Sequence, residues 1–332
     1  MKTQLTSEQM EARIVRYGAL IPCRTAFIDA HTPGSDQKEN FTIIGGGVSE
    51  ASDQHVHITE TPGFNIGAAG QPPKCRNSLH SHRTAEVFLV LSGRWRFFWG
   101  NEGKDGAVVL EKGDVINIPT GIFRGFENVG TDYAMIMAIL GGDDAGGGVV
   151  WAPQVLEEAR AHGLILGENG VLYDSKKGAD LPEGIGPMPP LDAAQMALFP
   201  KVSAAEFVPR FVSRHWDMMA LADGQPAPVI GAEAMLKDRP GFELDLLRES
   251  SLSDGYVTDR HEVLMVMQGH WTLSWEGGSA GLAAGDTCAV PPGLHRHLAP
   301  SMSGEASLFR VRNTDDPAGP TAHFPKAGRA RP

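Results

Sequence analysis

His80-Ser81-His82-Arg83-Thr84-Ala85-Glu86, with Gly93 after it, is the stretch that decides the reading of this chain. Downstream come Gly113, Pro119, Gly121, Arg124 and Asn128, and the second half repeats much of that skeleton as Glu262, Gly269, Gly285, Pro291, Gly293 and Arg296. Glu86 to Glu262 and Gly93 to Gly269 are both 176 positions apart, while Gly113–Gly285, Pro119–Pro291 and Arg124–Arg296 are each 172 apart. A constant offset broken by one short deletion is what a duplicated domain leaves behind. The copies differ where it matters for chemistry: Tyr256 and Thr258 stand where the first copy has His80 and His82.

The rest of the chain bounds the problem. At 332 residues it suits two domains of ordinary size. A formal net charge of −11 argues against nucleic acid or an anionic membrane as partner. No apolar run is long enough to span a bilayer, and Met1 to Leu20 is polar rather than signal-like. Cys23, Cys75 and Cys288 are far apart and form no CxxC, the usage of reduced structural cysteines in the cytoplasm. Forty glycines and 23 prolines with few helical patterns predict an all-β chain with many turns.

Thr6 to Tyr17 reads as a helix opened by a Thr6–Gln9 capping box. Short strands are predicted over Glu86–Leu91, Arg94–Trp99, Val108–Leu110, Val115–Ile118 and Ala134–Leu140. Gly141 to Gly148 breaks the pattern, Pro153–His162 reads as a helix, and Ser175–Pro200 as a Pro/Gly-rich connection. The expected divisions are 1–70 as an N-terminal extension, 71–150 and 201–315 as two barrels, 151–200 as a helical linker, and 316–332 as a tail.

If the segment from His80 is extended, residues i, i+2 and i+6 share a face, so His80, His82 and Glu86 project together. Two imidazoles and a carboxylate make the facial triad that binds non-haem Fe(II) with positions left open; Mn, Ni, Co or Zn accept the same ligands. His80-x-His82-x3-Glu86-x6-Gly93 resembles the first cupin motif, and Gly113-x5-Pro119-x-Gly121-x2-Arg124-x3-Asn128 resembles the second. The second-half blocks resemble degenerate copies, so the chain resembles a bicupin: two tandem jelly-roll barrels, the first metal-binding. The resemblance implies one divalent metal per chain, Fe(II) favoured, and a homodimer.

The chain departs from that pattern at Lys74, where a glycine is usual, and at Arg124, where the family has a fourth, histidine ligand. A guanidinium cannot ligate a cation. Arg124 therefore either pairs with Glu86, as Arg296 would with Glu262, or faces the site and anchors a small anionic organic substrate. His55 or His57 could supply a further ligand; Arg94 and Arg96 could add to an anion site, but read first as solvent-facing. Trp95, Phe97 and Trp99 read as core or interface, and His261, His295 and His297 as surface or interface residues.

The leading function is a metal-dependent oxidoreductase, a dioxygenase of an acidic or aromatic small molecule, with His80, His82 and Glu86 on the metal and Glu86 and Arg124 as catalytic groups. The alternatives are a non-oxidative cupin isomerase, lyase or decarboxylase, or a non-catalytic metabolite-binding bicupin.

Overall fold

A computed structural model describes residues 3–51, 53–82, 86–141, 149–236, 241–251, 255–302 and 304–314. The expected tail at 316–332 and most of the Gly141–Gly148 break lie outside them. The chain is built of short strands with few helices, arranged as two copies of one unit. Each copy is a pair of facing sheets, the flattened jelly-roll form of a barrel.

In the first copy the strands Val115–Ile118, Glu86–Val90, Ala134–Gly141, Phe64–Gln71, Glu39–Ile44 and Val56–Ile58 follow one another across one sheet. The barrel thus takes in strands from well before residue 71, and the segment expected as an extension supplies half of this sheet. The facing sheet holds Val150–Trp151, Arg76–Ser81, Arg124–Asn128, Arg94–Trp99 and Gly106–Glu111. Trp95, Phe97 and Trp99 alternate inward from their strand and are no more than 1% exposed. Together with Phe88, Phe126, Ile116 and Ile136 they form a core between the sheets, as the alternation predicts.

The second copy repeats the plan. Its larger sheet carries Thr287–Val290, Glu262–Gln268, Ser307–Asn313, Phe242–Arg248 and Ala227–Ile230, and its smaller one Gly278–Ala283, His270–Trp275 and Arg296–Pro300. The two larger sheets pack back to back. Phe41, Ile43, Phe64 and Ile66 meet Phe242, Leu244, Val263 and Phe309 in one continuous core, with the Phe64 and Phe242 rings 5.7 Å apart.

The segments that precede each barrel are exchanged. The helix Ser7–Glu11, closed by the expected Thr6–Gln9 box, leads into Ile14–Val15, which pairs with Thr287 and Cys288 of the second barrel. Asp286 then accepts from Arg16 at 3.0 Å and from the Tyr17 amide at 2.9 Å. In mirror fashion the helix Ala204–Phe211, boxed by Ser203 and Glu206, leads into Val212–Ser213, which pairs with Val115 and Ile116 of the first barrel. Asp114 accepts from Arg214 at 2.7 Å and from the His215 amide at 2.8 Å. Even the tryptophan anchors correspond: Trp275 donates to Leu5 and Trp99 to Val202, each at 2.7 Å. The helix expected to run to Tyr17 stops at Glu11 because the following residues are recruited as an edge strand.

The connection between barrels is a packed layer. Val155, Ala159, Leu164, Leu166, Leu191 and Phe199 cover Ile28, Leu79 and Phe123 on the outer face of the smaller first sheet.

Candidate metal centre

His80 lies near the end of the strand Arg76–Ser81, His82 follows just past it, and Glu86 opens the strand Glu86–Val90. These two strands belong to different sheets, so one continuous strand face is not what assembles the triad, contrary to the expectation from spacing. The facing sheets bring the three side chains together. Their ligating atoms all lie within 4.8 Å of one another, and all three residues are buried.

His80 is set up as a neutral ligand. His80 Nδ1 donates to the Ser78 carbonyl at 2.7 Å, which leaves Nε2 with its lone pair. Burial, seconded by the charge on Arg124, holds the His80 pKa well below the usual imidazole range. Its ring stands edge-on to His82 at 5.0 Å and leans on Trp151 at 5.3 Å. His82 Nε2 is 3.6 Å from Glu86 Oε2, too long for a hydrogen bond, and its Nδ1 is buried without a partner. Two donors bound to one ion at about 2.1 Å sit about 3 Å apart when adjacent, so a small side-chain shift closes the triad on a metal. The donor set, two buried imidazoles and a carboxylate whose ligating atoms lie within 4.8 Å of one another, fits a divalent ion.

Arg124 pairs with Glu86. It stands opposite His80 on the neighbouring strand, 1% exposed, where Nη2 donates to Glu86 Oε2 and Nη1 to the His80 carbonyl at 3.2 Å. It does not line the cavity in front of the triad. Burial alone pushes Glu86 up to about 8 and lowers Arg124. Their contact opposes both shifts, and because a guanidinium keeps its proton the pair is ionic at neutral pH. The bond falls on Oε2; a carboxylate has a second oxygen for a metal.

The second barrel holds the metal-free counterpart. Glu262 takes Arg296 at 2.8 Å and the Tyr256 hydroxyl at 2.8 Å, and the Arg296 guanidinium lies over the Tyr256 ring at 4.4 Å. Tyr256 pairs with Arg296 as His80 pairs with Arg124. Other expectations resolve simply. His57 is engaged by the Thr42 carbonyl and the Ile21 amide, and neither it nor His55 lines the cavity. Arg94 and Arg96 pair on the surface with Glu111 and Glu127. His295 and His297 are exposed.

A cavity of about 70 Å³ opens in front of the triad, walled by Ile66, Ala68, Phe88, Phe126 and Leu140 and by the polar side chains of Asn40, Thr42 and Gln54. Sequence reasoning missed Asn40 and Gln54; no motif marks them, because they lie on segments that only the fold brings to the site. It also missed the layer behind His80. There Lys38 is paired with Asp29 and donates to Asn77 at 2.8 Å, and Glu50 accepts from Trp151 at 2.7 Å. Burial raises Glu50 to about 7.

Residues 70–140 match the family described as Cupin domain. None of the curated proteins compared matches the sequence. Among solved structures the chain is similar to the Lactobacillus farciminis oxalate decarboxylase formate complex, at 13% identity and TM-score 0.53, over 97% of this chain and 90% of that one. It is also similar to a point mutant of Bacillus subtilis oxalate decarboxylase, at 12% identity and TM-score 0.53, over 94% of this chain and 78% of that one. At these identities the likeness is one of fold.

Proposed function

From a chain whose residues 70–140 are a cupin domain and whose two halves share the tandem-cupin fold, we propose a metal-dependent enzyme working from the first barrel alone. The observation that carries this reading is the convergence of His80, His82 and Glu86 at the head of a cavity, with no equivalent histidines in the second barrel. Three protein ligands, with Arg124 at the place of a fourth, leave more than one position for substrate and O2, which favours a dioxygenase using Fe(II).

The bound metal would supply Lewis acidity and, if iron, a route for electrons to O2. The residues do the remainder. Ser78 fixes the His80 tautomer, and the apolar walls exclude water. Arg124 neutralises Glu86, so a divalent ion brings the centre to a net charge of about +2 in a low-dielectric pocket, which favours a small anionic substrate. A substrate anion that draws Arg124 from Glu86 would be anchored by its fork of donors.

A second reading, a non-oxidative decarboxylase, has support in the fold likeness to oxalate decarboxylases. Elemental analysis after expression with Fe, Mn, Ni and Zn tests the shared premise: about one metal per chain is expected, lost in His80→Ala and His82→Ala. Unchanged metal content in those variants refutes the enzyme reading. Oxygen uptake during turnover then separates the two chemistries, since CO2 release without O2 would favour decarboxylation.

A further inference from the structure

The cavity before the triad owes its room to one cross-strand pair. In the larger first sheet Glu86 stands opposite Leu140, and two residues along Phe88 stands opposite Ala138, which faces Gly67 on the next strand. Gly67 and Ala138 both line the cavity, and along Phe64–Gln71 Gly67 alone is half-buried while its neighbours are buried. The second barrel keeps the same register: Glu262 is opposite Arg312, Leu264 is opposite Arg310, and Arg310 faces Asp245. Arg310 and Asp245 thus take the places of Ala138 and Gly67. Their side chains bridge at 2.7 Å, and the Arg310 guanidinium lies 3.8 Å from Glu262 and 5.7 Å from the centre of the Tyr256 ring. Where the second barrel sets an ion pair before its glutamate, the first has space.

Size and wall chemistry limit what that space can hold. An apolar cavity that takes benzene is about 150 Å³, and this one is about 70 Å³, too little for an aromatic ring. Around Ala138 the walls are hydrocarbon: Phe88 across the ladder, Leu140 two residues along on the same face, and Phe126 from the facing sheet. The polar side chains of Asn40 and Thr42 belong to the strand on the far side of Gly67. We infer that Ala138, with Gly67 beside it, is the specificity-determining residue of the first barrel. It admits a short aliphatic carboxylate, with the acid at the triad and the hydrocarbon end against Ala138, and excludes aromatic acids. The acid end follows from the metal centre proposed above, on which this assignment rests.

The test measures Kd by calorimetry for formate, propanoate and benzoate on the full chain loaded with Mn(II). Propanoate should bind about tenfold more tightly than formate, the worth of burying two carbons, and benzoate no more tightly than formate. Ala138→Leu fills the space, so formate affinity should hold while propanoate loses its advantage; the smaller Ala138→Val should lose part of it. If the leucine variant fails to fold, the valine variant decides. Benzoate binding to the parent as tightly as propanoate overturns the assignment. So does a propanoate advantage left intact in a variant that binds formate, or loss of formate binding in the valine variant. Metal content is read separately by elemental analysis. A chain that takes up no Mn(II) refutes the metal centre and the assignment with it, whereas bound Mn(II) without discrimination by size refutes the assignment alone.

Discussion

At the scale of single residues, Lys74 and Arg124 show what it costs to depart from a family pattern. Lys74 holds φ at +67°, the left-handed region where the motif has glycine. A side chain there costs about 1–2 kcal/mol, part of which glycine returns as unfolded-state entropy. Lys74→Gly should therefore raise stability by about 0.5–1 kcal/mol in denaturant titrations. Arg124→Met leaves Glu86 buried and alone, with an expected loss of about 3–5 kcal/mol in metal-free protein. The pH dependence has a definite sign. With the guanidinium gone, burial raises the Glu86 pKa in the folded state from the usual 4.5 to about 8. The folded state then holds a proton that the unfolded state releases, so stability is greatest below about 4.5 and falls as pH climbs to about 8. A denaturation series across that window should slope downward for the variant and less so for the parent, and a flat variant profile would contradict the account. The glutamate, the histidines and the Glu/Arg alternatives were legible in the sequence because motif spacing carries them. Which alternative holds was not, since guanidinium direction depends on packing behind the site.

Elements tell a different story of legibility. Strand periodicity located Arg94–Trp99 and Val115–Ile118 to the residue, and the duplicated offset announced two like domains. Spacing alone put Glu86 on the strand of His80, and the structure corrects this, because period-two alternation says nothing of where a strand ends. The exchanged arms were written in the sequence only as a faint second repeat, Arg16-Tyr17 against Arg214-His215, visible once Asp286 and Asp114 are known to hold them. Asp286→Ala removes the acceptor of Arg16, the Tyr17 amide and the Ala283 amide at once and should cost about 1–3 kcal/mol. Hydrogen exchange should report the loss at Thr287–Val290 while metal content in the first barrel is unchanged. Equal loss of protection at Val115–Ile118 would show that the arms are not independent.

For the whole molecule, the two barrels share one design and differ in what surrounds the buried Glu/Arg pair. The first keeps imidazoles beside its ion pair; the second fills the same place with Tyr256 and closes over Glu262 and Arg296. Arg296→Met leaves Glu262 with the Tyr256 hydroxyl at 2.8 Å and Arg310 at 3.8 Å, so it should destabilise the chain by about 1–3 kcal/mol without altering metal stoichiometry. The paired measurement, melting temperature with elemental analysis, distinguishes a structural role from a second metal site.

The crossing of the two leading segments makes the halves topologically dependent. Cleavage of the backbone near Gly184, in the connection between them, would give an N-terminal fragment carrying the clasp that fits its sibling, and the reverse for the C-terminal one. Purified alone, each fragment presents an uncovered rim and should self-associate or precipitate. Mixed in equal amounts, they should interlock into a nicked molecule that recovers the parent's metal stoichiometry.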